Sequence, residues 1–394
     1  MTQHRLEVAD VFRQHEQEFL ARWGDSLSPQ QRKAFRDICA CRTAALGARW
    51  EQCDHCARQF FVFHSCRNRA CPKCQSRARD QWLARTAREL LPVPYSHVTF
   101  TLPHQLSRLA LQNPRVLFHI LFRAVAETLL TIAADPRHLG AQLGFLAVLH
   151  TWSQQIGPHV HLHCLVPAGG LAPDRSRWIR IRHPRFFLPG KVLSARFRRT
   201  FLDLLARAYR HQKLRFRGSF ANLSRPTEFD RFFRQLKKQR WVVHAKRPFA
   251  GPEQVLQYLA RYTHRVAIAN GRLVEMQDGR VTFRWRDSAH GNQTKLLTLD
   301  AVEFIRRFLL HVLPSGFVKI RHFGFLANAQ RREALQLCRN LLLAPQPQNP
   351  LAETQQNAAE RRCPCCGVGM LCLLGLIPRG APLPVIAPAR VDTS

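Results

Sequence analysis

The sequence predicts an α+β protein: a sheet-bearing domain behind an N-terminal helical and cysteine-rich segment, with a small Cys-rich tail. Three observations predict it. Runs of strand-forming residues at 97–102, 144–152 and 160–166 share the middle of the chain with long amphipathic helical stretches. Seven of the 13 cysteines fall within residues 39–80. Residues 344–360 turn abruptly to a Pro-, Gln- and Asn-rich composition, which marks a linker.

The elements follow in order. Val11, Phe12, Phe19, Leu20 and Trp23 fall near helical spacing, so residues 1–38 read as helical. A basic helix over 76–91 is stopped by Pro92 and Pro94. The strand at 97–102 ends at Pro103, and an apolar helical stretch covers 106–134. The runs 144–152 and 160–166 read as two strands joined by a short turn containing Gly157 and Pro158. A basic stretch, 177–245, mixes helix and loop. A helix at 252–262, hairpin-like strands near 264–285 and a helix at 300–312 follow. Cys363 to Cys366 open a cysteine cluster of their own, and four prolines from Ile377 onward argue against a fixed fold there. The expected domains are 1–90, 92–343, the linker 344–360 and the tail 361–394.

Charge bounds the partner. Sixty Lys+Arg against 26 Asp+Glu give a formal +34 over 394 residues, a field that attracts a polyanion, above all nucleic acid. No run approaches the ~18 apolar residues that span a membrane, and the charged N-terminus has no signal-peptide block. A cytoplasmic, nucleoid-associated protein is expected. In that reducing compartment cysteines read as metal ligands before disulfides.

Cys53-x2-Cys56 and Cys71-x2-Cys74 can each present two thiolates, and two such turns complete a tetrahedral sulfur shell for structural Zn²⁺. Cys39, Cys41, Cys66, His55 and His64 are alternative ligands or members of a second site. Arg67, Arg69, Lys73, Arg77 and Arg79 surround the thiols and suit phosphate contacts. Cys363-x2-Cys366 is half of such a site, with Cys372 or Cys338 as candidates to complete it.

His159, His161 and His163 recur at period two, so on a strand they share one face while Val160, Leu162 and Cys164 take the other. Neutral imidazoles in a row can share a divalent ion, whereas charged ones would repel. The third ligand stays open among His159, His150 and side chains near the tyrosine helix. Tyr258 and Tyr262, two of only four tyrosines, stand one helical turn apart beside Arg261, His264 and Arg265. Spacing alone fits an ordinary amphipathic helix. A basic chain with a metal-type histidine strand adds the chemistry, because a tyrosine oxygen can attack a DNA phosphodiester and hold one end covalently.

These motifs together resemble the rolling-circle insertion-sequence transposases of the IS91 type, within the wider group of His-hydrophobic-His endonucleases. The resemblance covers nearly the whole chain. Cys41 to Gly47, Cys53-Asp-His-Cys56 and Ser65 to Gln75 resemble the family's zinc-binding domain, with Ala70 where relatives usually carry histidine. His161-Leu-His163 is similar to its metal motif, and Tyr258-Leu-Ala-Arg-Tyr262 to its two-tyrosine motif. The resemblance implies an antiparallel sheet with helices on one face and the metal on its central strands. It also implies Mg²⁺ or Mn²⁺ at the histidines, single-stranded DNA and 5′-phosphotyrosine links, with no nucleotide cofactor. Two other readings are a three-carboxylate transposase and a non-catalytic zinc-containing DNA-binding protein. The first lacks paired acidic residues on strands; the second leaves the histidines and tyrosines unexplained.

Overall fold

The computed structural model describes residues 5–181, 188–245, 254–255, 267–287, 290–343 and 362–384. The N-terminal helical stretch is three helices, α1 (Val8–Gln14), α2 (Glu16–Trp23) and α3 (Pro29–Ala40). The break was written in Ser28-Pro29-Gln-Gln31. Ser28 Oγ accepts from the Gln31 amide while the Gln31 side chain accepts from the Ser28 amide, a capping box that starts a new helix. Strands β1 (Ala48–Cys53) and β2 (Gln59–Phe63) form an antiparallel hairpin, followed by α4 (Gln75–Glu89).

The central sheet uses β3 (Tyr95–Thr101), β4 (Gly144–Trp152), β5 (Pro158–Pro167), a short β-ribbon of β6 (Gly169–Leu171) and β7 (Trp178–Arg180) standing apart from it, then β8 (Val242–Ala245). Its fifth strand comes from further along the chain, after β9 (Leu273–Gln277), β10 (Arg280–Asp287), β11 (Gln293–Asp300) and helix α9 (Ala301–Leu310). That strand is β12 (Ile320–Gly324), and the order β12-β4-β5-β3-β8 is antiparallel throughout.

One face of this sheet is apolar. Val98, Phe100, Phe145, Ala147, Leu149, Val160 and Leu162 pack under α5 (His104–Gln112), α6 (Pro114–Ala134), α7 (Gly190–Arg210) and α8 (Pro226–Lys238). Each large side chain buried here contributes about 1.5–3 kcal/mol. The expectation about membrane-length segments needs correction: α6 is long and apolar enough to cross a membrane by length and composition. Its apolar run is explained by the core, since two-thirds of its most apolar window is buried. The other face is split. At one end Tyr95, Leu146, Val148 and Leu165 lie in a second cluster with Val255 and with Leu335 of α10 (Arg331–Leu341). At the other end the same face carries histidines.

A third core joins sequence-distant parts. Phe12 and Phe35 of the N-terminal helices meet in a tilted pair with ring centroids 5.1 Å apart, and Phe12 meets Phe308 of α9 at 5.4 Å. Phe283 of β10 and Phe304 belong to the same cluster. The segment after residue 361 was expected to stand alone, but its strand β13 (Leu371–Ile377) pairs antiparallel with β1.

Candidate metal centres

Three groups of metal-type side chains converge among the described residues, and none of them is the predicted quartet as written. Cys53, Cys56, Cys71 and Cys74 are divided between two sites. Cys71 and Cys74 meet Cys41 and Cys66; Cys53 and Cys56 meet Cys363 and Cys366. The division is topological: the β1–β2 hairpin carries its Cys-x-x-Cys turn away from the Cys66–Cys74 loop. Cys338 lies buried in the core around α10, and Cys372 points outward from β13, so neither completes a site.

In the first quartet Cys41 caps the end of α3 and Cys74 precedes α4. The Cys74 sulfur lies 3.5 Å from those of both Cys41 and Cys66. The neighbouring thiols of Cys41, Cys66 and Cys71 push the Cys74 pKa down, which favours a thiolate in this cluster. Of the basic residues expected at phosphates, Arg67 is exposed at the surface. The Arg69 guanidinium instead donates to the carbonyls of Leu313, Pro314 and Phe317, and Lys73 pairs with Glu7. Both tie the cysteine loop to the rest of the molecule.

The histidine site lies on adjacent strands β4 and β5, at the histidine-bearing end of the sheet's second face. Register places His150 opposite His161 and Val148 opposite His163. His161 Nε2 and His163 Nε2 are 3.0 Å apart. Two nitrogens about 2.1 Å from one ion and at right angles would be separated by about 3.0 Å. The His150 ring meets the rings of His161 and His163 edge-on at 5.3 and 4.5 Å. Of the ligands left open by the sequence, His150 therefore joins the pair. His159 shares the face but sits at its rim, outside the converging trio, and supplies its carbonyl to His161 Nδ1 at 2.9 Å. Burial, then His163 and His159, hold the His161 pKa well below the usual value, which keeps the ring neutral and its lone pair available.

The sequence reading missed His97. Its Nε2 lies 2.8 Å from His163 Nδ1, and the Thr99 hydroxyl is 3.2 Å from the same Nε2. His97 pairs across β3 and β5 beside the metal-type residues, and its parity with Thr99 and Thr101 on one strand was the available signal. With His163 Nδ1–H donating to His97, the Nε2 lone pair is left for an ion. Tyr258, Tyr262, Arg261 and Arg265 lie outside the described residues. Val255, three positions before Tyr258, is fully buried in the cluster on the same sheet face as the histidines.

Comparison with known proteins bears out the family. Residues 11–102 match the family model described as "Transposase zinc-binding domain", and residues 144–334 match one described as "Putative transposase". "Putative transposase y4qJ" of Sinorhizobium fredii is 50% identical over 375 residues, covering 93% of this chain and 94% of that one. The transposase for insertion sequence element IS801 of Pseudomonas savastanoi pv. phaseolicola is 28% identical, over 84% of this chain and 80% of its own. Among solved structures, a conjugative relaxase TrwC bound to oriT DNA aligns with 62% of this chain and 70% of its own, at 16% identity. Its TM-score of 0.24 is too low to carry a conclusion. The α+β fold and the cysteine module thus define a DNA transposase that carries its own zinc-binding domain. Within that class, the chain belongs to the insertion-sequence transposases of the IS91 type.

Proposed function

We propose that this transposase nicks single-stranded DNA and transfers the cut strand by a rolling-circle route, with Tyr258 and Tyr262 as nucleophiles and His150, His161 and His163 as a divalent-metal site. The observation that carries the reading is the convergence of three imidazoles on one face of the central sheet. Val255, just ahead of the tyrosines, is anchored on that face.

The donor set is all imidazole, which fits a first-row divalent ion better than Mg²⁺, so Mn²⁺ is the ion for assay. When bound, such an ion withdraws charge from the scissile phosphate and orients it. The chain's own residues do the rest. His97 fixes the tautomer of His163, and burial keeps His161 neutral. A tyrosine oxygen forms a bond to phosphorus as the bond to the 3′-oxygen breaks. The phenol proton is lost, and the departing 3′-oxygen gains one. The product is a 5′-phosphotyrosine and a free 3′-hydroxyl, so the phosphoester is conserved for a later strand transfer. The second tyrosine permits a second cleavage before the first link is resolved. Among the described residues the convergent metal-type groups are cysteine and histidine alone, which favours this scheme over a three-carboxylate one.

The test uses single-stranded oligonucleotides spanning the ends of the encoding element, with Mn²⁺. The expected result is a protein–DNA adduct that survives denaturation, is lost in the Tyr258→Phe/Tyr262→Phe double variant, and is strongly reduced in His163→Ala. Cleavage that persists in the double variant without an adduct would sink the proposal.

A further inference from the structure

We propose that Cys53, Cys56, Cys363 and Cys366 hold a second structural zinc ion, which pins the segment after residue 361 onto the N-terminal hairpin. The match to the zinc-binding domain ends at residue 102, so two of these four ligands come from far outside it.

The sulfur geometry is that of a shared ion. Cys53 Sγ lies 3.7 Å from Cys366 Sγ, and Cys56 Sγ lies 3.7 Å from Cys363 Sγ. Zinc–sulfur bonds of about 2.3 Å in a tetrahedron put sulfurs about 3.8 Å apart. A disulfide would need about 2.05 Å. Both turns aim backbone amides at the sulfurs, as thiolates require: Cys56 N–H points at Cys53 Sγ and Gly369 N–H at Cys366 Sγ, each at 3.4 Å. The two turns also grip each other. Asp54 N donates to the Met370 carbonyl at 3.0 Å, and Met370 N donates to Asp54 Oδ1 at 2.7 Å. Gly369 has to be glycine, because a Cβ there would fall on Cys53 Sγ and the His55 side chain.

Energetics supply an independent reason. No residue of β1, β2 or β13 belongs to any of the three hydrophobic clusters among the described residues. Leu373 and Leu376 of β13 are 57% and 69% exposed. A three-stranded sheet without a core of its own is not stable in water, and small units of this kind rely on a metal. The site joins Cys56 to Cys363 across a sequence separation of 307.

The test is zinc content of the full chain by mass spectrometry, with cobalt substitution to report four-sulfur coordination. Two zinc ions per chain are expected at the cysteines, counted throughout in a His161→Ala/His163→Ala background that removes the imidazole site. Cys363→Ser/Cys366→Ser and Cys53→Ser/Cys56→Ser should each leave one, and combining all four changes should still leave one. Cys41→Ser/Cys74→Ser should remove the other ion. A protease site inserted between Gln348 and Asn349 gives a readout free of folding failure. After cleavage the C-terminal fragment should stay attached until a chelator is added. Two ions retained in Cys363→Ser/Cys366→Ser, or a fragment that leaves with zinc still present, would overturn the proposal.

Discussion

His311 shows how much one buried ring can impose. It is 1% exposed, at the C-terminal end of α9. The Thr151 hydroxyl donates to Nδ1 at 3.0 Å, and Nε2–H donates to the Ile156 carbonyl at 3.2 Å. Both nitrogens are satisfied in the neutral ring, and burial, which penalises the charged form, pushes the pKa down to about 4. The unfolded chain takes up this proton near the ordinary value of about 6.5. Stability is therefore intact above that value and falls as pH drops from about 6.5 toward 4, by up to about 3 kcal/mol from this residue. Urea denaturation at pH 7, 6 and 5 checks it: the loss should be smaller in His311→Gln, and parallel curves would refute it. At this scale the sequence was legible where parity decides. His161 and His163 follow from alternation on one strand. His150 and His97 depend on which strands become neighbours, and the lateral register that decides this is set by non-local pairing.

At the scale of elements, the strands of the central sheet were readable because one apolar face dictates a period of two. The N-terminal breaks carried a capping signal that a reading by hydrophobic spacing passed over. Strand β13 was not readable: Leu371-Cys-Leu-Leu-Gly-Leu-Ile377 does not alternate, and no core selects its register. The edge pairing of β12 on β4 depends on a single backbone conformation. Gly324 has φ +61°, and a Cβ there would collide with the Leu143 carbonyl oxygen. Gly324→Ala should therefore cost about 3 kcal/mol, through left-handed strain and displacement of β12. Chemical denaturation measures this; a cost under about 1 kcal/mol would show that the turn has room to move.

At the scale of the whole molecule, composition already pointed to a polyanion, and the transposase families bear that out as DNA. The division of the cysteines was illegible, because ligands that share an ion need not be neighbours in sequence. The charge makes a quantitative prediction. If six phosphates of a single strand are neutralised, the logarithm of affinity should fall with the logarithm of salt at a slope of about −4, losing roughly two orders of magnitude between 50 and 200 mM. Fluorescence anisotropy with a labelled oligonucleotide tests it, and salt-independent binding would contradict the electrostatic reading.

The meeting of Cys56 with Cys363 also has a consequence in time. At about 5–20 residues per second of synthesis, the 307 positions that separate them take about 15 to 60 s to emerge. Throughout that interval the hairpin holds two reduced sulfurs and lacks its third strand. A chain cut short between residues 344 and 362 would retain every histidine and tyrosine named above, yet never complete the proposed site on the β1–β2 hairpin. Completion of the proposed cage would thus report that synthesis has passed residue 366, and a chain ended earlier would be marked by an unfinished fold at the β1–β2 hairpin.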